Sequence, residues 1–167
     1  KTKEGELEWR GFAAVGKCCR EANWDRNAIF PLEQAKKLAP PTDVNGKPVR
    51  ALIIIDLASA ELVLRHMKKA IAYAREAEAT SPNSAEVQLK VSEIFSQASE
   101  FPEASKSLNR AIGILMSKVA ASPLNLKEYS SLYSAYDLKL QLCTHAQSEK
   151  PTEAISYVDA ADAIRNK

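Results

Sequence analysis

The stretch MKKAIAYAREAEATSPNSAEV, residues 67–87, decides the fold. It is rich in alanine, halts at Pro82, and at once supplies Asn83 and Ser84, whose short polar side chains cap a new helix. Ala70 and Ala77 stand seven residues apart, which is two helical turns, so both share one face. Small residues on one face let a second helix approach closely. A helix trimmed to alanine, stopped by proline and followed at once by another predicts helix pairs stacked one after the next.

Outward from this stretch the pattern returns. Ala28, Ala35 and Pro40 repeat it, as do Ala104 and Ala111 with Met116 in place of proline, and Ala154 and Ala161 with Asn166. Between the alanines of each pair stand Leu32, Ala74, Leu108 and Val158. Alanine is abundant, 26 of 167 residues, so such pairs also arise by chance and their context has to carry the argument. Ala70 to Ala104 is 34 residues, and so is Ala77 to Ala111. Phe95, Phe101 and the run PEASKSLNRAIGIL, residues 102–115, accompany the third alanine pair. Gly16, Ala58 and Ser92 each place a small residue twelve positions before Ala28, Ala70 and Ala104.

A period of 34 with small residues at these positions resembles the tetratricopeptide repeat family, over roughly residues 9–166. The resemblance implies an all-α, right-handed superhelix of antiparallel helix pairs. Its expected units are about 9–40, 49–82, 83–123 and 126–166 of one domain spanning 1–167. An irregular helical bundle is the alternative. The departures are specific. Successive units are offset by 42, 34 and 50 residues; the first excess is the loop PPTDVNGKP, residues 40–48, and the last requires longer helices on both sides of Pro123. Pro31 falls within the second helix and is expected to kink it or delay its start. Leu142 stands where the fourth unit should have a small residue.

The rest of the chain agrees with helix. Only 5 Gly and 8 Pro occur, and no alternating apolar pattern reads as a strand. About eight helices are expected: 4–22, one ending at Pro40-Pro41, a long helix or pair over 49–81 with Arg65-His66 as its turn, then helices after Ser84 and Ser99, at 126–147 and at 152–164. The longest apolar run, ALIII at 51–55, is too short to span a bilayer. Three cysteines, two of them adjacent, make no disulfide framework and favour a reducing, cytoplasmic compartment. The opening KTKEGE lacks a methionine, which suggests a fragment of a longer protein.

Catalysis finds no support in the sequence. His66 and His145 have no nucleophile or acid at a recognised spacing. Cys18, Cys19, Cys143 and His145 are the metal-ligand types present, yet Cys-Cys and Cys-x-His diverge on a helix, so no metal and no cofactor is expected. The five glycines are scattered and form no phosphate loop. Arg65, Lys68, Lys69 and Arg75 make a basic stripe with Lys36-Lys37 in the preceding unit, but Glu76 and Glu78 partly neutralise it, and nucleic-acid binding would want more such residues with aromatics interleaved, which disfavours nucleic acid. Tyr129, Tyr133 and Tyr136 form a stripe suited either to core packing or to partner contact.

In tetratricopeptide arrays the first helix of each unit lines a concave face. The resemblance thus implies a non-catalytic scaffold for protein–protein interaction, binding a peptide or partner helix in that groove. Its lining would include Arg10, Ala13, Lys17 and Arg20; then Ile55, Ser59 and Leu62; then Glu86, Leu89, Lys90 and Glu93; and finally Tyr133, Tyr136 and Lys139. The Lys/Asn/Arg carboxylate clamp of some family members is missing from the matching positions. The helix expected at 152–164 has an apolar face, Ile155, Val158, Ala161 and Ile164, and suggests self-association or further chain. A structural helical module of a larger assembly or cell surface, with no groove, is the alternative function.

Overall fold

The computed structural model describes residues 3–121 and 126–146, together with Ser156, Asp159 and Ala163, each helical. These residues form seven α-helices and no strand. They are α1 (Lys3–Glu21), α2 (Asp25–Leu38), α3 (Val49–Val63), α4 (Met67–Thr80), α5 (Ala85–Gln97), α6 (Phe101–Ala121) and α7 (Leu126–Ala146). The chain divides into two compact units, Lys1–Pro82 and Asn83–Lys167. The expected helix at 152–164 lies outside the described residues except at those three positions.

Three turns use one backbone device. Asn23, Arg65 and Ser99 all have a left-handed backbone, with φ of 59°, 64° and 63°. Each amide donates three residues back, to Arg20, Leu62 and Ser96, and the following amide donates five back, to Cys19, Glu61 and Phe95. This is the Schellman closure, which satisfies the last carbonyls of a helix and reverses the chain. It folds α1 onto α2, α3 onto α4 and α5 onto α6. The left-handed positions are separated by 42 and 34 residues (65 − 23 and 99 − 65), the same steps as the alanines. Glycine is the usual occupant, and none of the three is glycine.

The alanine pairs sit where the helices of each pair cross. Ala28, Ala35, Ala70, Ala77, Ala104 and Ala111 have no exposed surface, nor have Leu32, Ala74 and Leu108 between them. Gly16 is buried opposite Leu32, and a Cβ added there would lie 2.5 Å from Leu32 Cγ. Ala58 and Ser92, the equivalent small residues of α3 and α5, are also buried.

In the first unit α2 packs against both α1 and α3, and α3 against α4. Trp9, Ala28, Leu32, Ala35, Ala39, Ile53 and Leu57 make its core. Pro31 neither delays α2 nor ends it. The helix begins six residues earlier, and the bond lost by the missing amide belongs to the carbonyl of Asn27, an exposed residue within reach of water. The loop at 40–48 closes on Asp43, whose Oδ1 accepts from the amides of Asn45 and Lys47, while Gly46 supplies a φ of 75°.

In the second unit Ser84 caps α5, its Oγ accepting from the Val87 amide at 3.4 Å. α6 packs against both α5 and α7. At 21 residues each, α6 and α7 exceed the 13 of α5, the extra length expected around Pro123.

Candidate functional site

The first unit ties its first helices together by charge. Arg20 Nη1 on α1 donates to Asp56 Oδ1 on α3 at 2.7 Å, and its Nε lies 3.7 Å from Asp25 at the start of α2. The second helices are tied likewise. The Tyr73 hydroxyl on α4 donates to Glu33 on α2 in a short hydrogen bond. Lys36 lies over the Tyr73 ring at 4.9 Å and pairs with Glu33 and Glu76. Burial first, then the Glu33 hydrogen bond and the neighbouring carboxylates, push the Tyr73 phenol well above its ordinary range.

The expected groove residues of this unit divide by environment. Arg10 is exposed and lies 5.3 Å from the centre of the Trp9 ring. Lys17 is exposed, with Glu21 at 3.8 Å. Ser59 donates to the Ile55 carbonyl at 2.9 Å, and Leu62 is half-buried. Ile55, expected in the groove, is only 4% exposed and belongs to the interior. α3 carries apolar residues around much of its circumference, so more than one of its faces is covered.

In the second unit α5 and α7 flank α6, and a cleft of about 440 Å³ opens between them. Leu89, Glu93, Ser96 and Gln97 line it from α5; Ser134, Asp137, Leu138 and Gln141 line it from α7. Leu89 and Leu138 are half-buried, leaving part of each side chain accessible, while Glu93 and Asp137 are exposed. Gln141 Nε2 donates to Asp137 Oδ2 at 2.9 Å, which orients the carboxylate. Two carboxylates over an apolar strip can hold a cationic side chain by its head and its methylene stem together.

Leu89 and Glu93 thus line a cleft, whereas Glu86 and Lys90 are exposed beside it. On α7 the placement departs from expectation. Lys139 is 1% exposed, and its Nζ donates to Ser105 Oγ of α6 at 2.6 Å. Tyr136 is 9% exposed, with its hydroxyl 3.8 Å from Met116 Sδ; burial raises its pKa. Both face α6, so the Tyr136–Lys139 side of the helix is an internal seam. Tyr133 is 39% exposed and Tyr129 half-buried.

The lining residues not anticipated from sequence are Ser96, Gln97, Ser134, Asp137, Leu138 and Gln141. Ser96 had a usable signal. It stands 34 residues after Leu62, one repeat period on from a residue expected in the groove. α7 offered less, because Leu132, Ala135, Tyr136 and Leu142 are buried while Leu138 and Leu140 are half-buried, and this spread of apolar residues singles out no face.

The remaining chemistry-bearing residues do not converge. Among the described residues no group of three or more His, Cys, Asp or Glu could hold a metal ion. Cys18, Cys19 and Cys143 form no disulfide among the described residues, and the His145 side chain lies outside them. His66, within a basic neighbourhood in sequence, meets an acid in space: its Nδ1 lies 2.6 Å from Glu61 Oε2, and Lys69 shares that carboxylate at 3.6 Å. No helix among the described residues is long and apolar enough to cross a membrane.

Comparison with solved structures gives the fold class. The chain superposes on the crystal structure of MamA, a tetratricopeptide-repeat-containing protein, with a TM-score of 0.59. The match covers 95% of this chain and 78% of MamA, at 20% sequence identity. The fold is all-α, of the tetratricopeptide-like helical-repeat class. No family model matches the chain, and no curated protein matches it.

Proposed function

We propose that the chain is a non-catalytic scaffold that binds a segment of another protein, an extended peptide or one face of a helix, against its first helices. The observation that carries this is the cleft between α5 and α7, the first helices of consecutive repeats. Helical-repeat folds stack their units into an extended concave surface available for contact. The cleft supplies an apolar strip, Leu89 and Leu138, a polar rim of serine and glutamine, and two carboxylates, Glu93 and Asp137. The ligand that suits it presents lysine or arginine beside an apolar side chain. In the first unit the Arg20–Asp56 bridge crosses between the corresponding helices, which assigns less of the binding to that end.

Site-specific photo-crosslinking tests the reading. A photoreactive residue replacing Gln97 or Gln141 should trap the same partner, and one replacing exposed Asn109 on α6 should not. Leu89→Arg and Asp137→Lys should each abolish the crosslink while far-UV circular dichroism stays unchanged. Equal trapping from Asn109, or persistence of the crosslink in both variants, refutes the assignment.

A further inference from the structure

A second cleft lies at the turn edge of the first unit. Asn23, Trp24, Asp25, Arg26 and Asn27 of the α1–α2 turn and Val63 and Leu64 at the end of α3 line a cleft of about 390 Å³. Trp24 is 64% exposed there and Val63 is 60% exposed. Burying such side chains is the ordinary use of apolar surface, and a cleft edged by exposed tryptophan and valine leaves that use unmet.

The fold does not require the tryptophan. Trp24 follows the left-handed residue of its turn, and His66 and Glu100 occupy the same place in the other two turns. The Schellman closure therefore forms equally well with a charged or polar residue at this position. Trp24 is also the N-cap of α2 and makes no side-chain capping bond, so it contributes less to helix initiation than serine, threonine, asparagine or aspartate would. Neither turn, cap nor core accounts for an indole here.

The charges around the cleft have one sign left over. Asp25 is buried and answered by Arg20 at 3.7 Å. Glu61, near the end of α3, is answered by His66 and Lys69. Arg26 lines the cleft and Arg65 directly follows Leu64; both are exposed, and neither side chain has an ion-pair partner among the described residues. We propose that this edge docks a protein segment carrying a large apolar side chain flanked by carboxylates, with the apolar group against Trp24 and Val63 and the acids on Arg26 and Arg65. Tryptophan and arginine together are the residue types that dominate binding energy at protein interfaces. This surface shares no residue with the α5–α7 cleft and prefers the opposite charge, so the two proposals fail independently.

The test is fluorescence anisotropy with labelled acetyl-Asp-Glu-Leu-Phe-Asp-Glu-amide, titrated with the natural chain. Acetyl-Lys-Lys-Leu-Phe-Lys-Lys-amide and acetyl-Asp-Glu-Ser-Ser-Asp-Glu-amide are the comparison probes. Saturable binding of the first is expected, and weaker binding of the other two. Arg26→Glu should weaken it by about two- to fivefold, the scale of one rim ion pair. Trp24→Ala should abolish it, and Lys106→Glu, a charge reversal at an exposed residue of α6 outside both clefts, should leave it unchanged. Trp24 and Arg26 are both exposed, so circular dichroism should find both variants folded; were Trp24→Ala to unfold, Arg26→Glu alone decides. No saturation, preference for the basic peptide, or undiminished affinity in Arg26→Glu overturns the proposal. So does concentration-dependent self-association, without peptide, that Trp24→Ala removes, because a second copy would then cover the cleft.

Discussion

A methyl group on Gly16 would separate close helix packing from mere helical propensity. It would stand 2.5 Å from Leu32 Cγ and 2.6 Å from Cδ2, whereas relaxed carbon contacts lie at about 3.5–4.0 Å. Leu32 has no exposed surface and is fixed among Trp9, Ala28, Ala35 and Leu57. Its Cγ is the branch point of the side chain, so turning the terminal methyls cannot relieve the overlap. Two effects then oppose each other. Alanine gains about 0.8–1.0 kcal/mol over glycine in a helix interior. Overpacking a filled core costs about 1–3 kcal/mol. Gly11, on the same helix, is exposed and has nothing within 4 Å of an added Cβ, so Gly11→Ala reports the propensity gain alone. Gly16→Ala should therefore be less stable than Gly11→Ala by about 1–3 kcal/mol, read as urea midpoints followed by fluorescence of Trp9 in the adjoining core. The substitution is then repeated with Leu32→Ala, which by itself costs about 2–5 kcal/mol. With the clash removed, Gly16→Ala should change sign and stabilise by about 1 kcal/mol. Equal stabilisation by Gly11→Ala and Gly16→Ala in the otherwise natural chain would refute the close-packing argument.

Three further outcomes follow from the geometry. Arg65→Gly and Ser99→Gly should each raise stability by about 1 kcal/mol, with a smaller gain for Asn23→Gly, since asparagine tolerates the left-handed backbone better; calorimetric melting shows whether that order holds. Ile55→Ala should lower stability by about 2–5 kcal/mol, as expected of an interior side chain, and a melting temperature indistinguishable from the parent's would return Ile55 to the surface. Burial, the Glu33 hydrogen bond and nearby carboxylates raise the Tyr73 pKa in the folded state, so its contribution is complete below the unfolded value of about 10 and declines as pH rises past it. Tyr73→Phe should flatten that alkaline decline in urea titrations, and an unchanged slope would remove Tyr73 as its source.

The parts of the fold legible in sequence are those decided by local rules. Proline and capping serine mark the Pro40, Pro82–Ser84 and Ser99–Pro102 boundaries, and the structure ends or begins helices there. Alanine spacing gives the crossing face, and Ala28, Ala35, Ala70, Ala77, Ala104 and Ala111 are all fully buried. What remained hidden depends on partners distant in the chain. Arg20 reads as a free cation because Asp56 lies 36 residues away. Lys139 reads as surface because nothing in sequence shows Ser105, 34 residues earlier, waiting on α6. The turn at Arg65-His66 and the break at Ser99 are legible in sequence, but the left-handed geometry they share with Asn23 is not, because arginine and serine stand where glycine would have signalled it.

The turns supply a better repeat marker than composition does. Counted from the left-handed residue, the first crossing alanine is always five later, at 28, 70 and 104, and the small residue opposite is seven earlier, at 16, 58 and 92. On that scale the α5 residues lining the cleft fall ten, six, three and two before Ser99. The equivalent residues of α1 are Ala13, Lys17, Arg20 and Glu21, and those of α3 are Ile55, Ser59, Leu62 and Val63. One backbone position thus serves different ends: Arg20 forms an inter-helix ion pair, whereas Ser96 borders an open cleft. Because neither use alters the buried alanine face, the repeat can change what these positions contact without changing how its helices pair. That independence lets the contact chemistry of these positions vary while the helix pairing, and with it a fold recognisable at 20% identity, is kept. It also places the test of function on Leu89, Glu93, Asp137 and Leu138, where substitutions alter contact chemistry while the alanine seams remain intact.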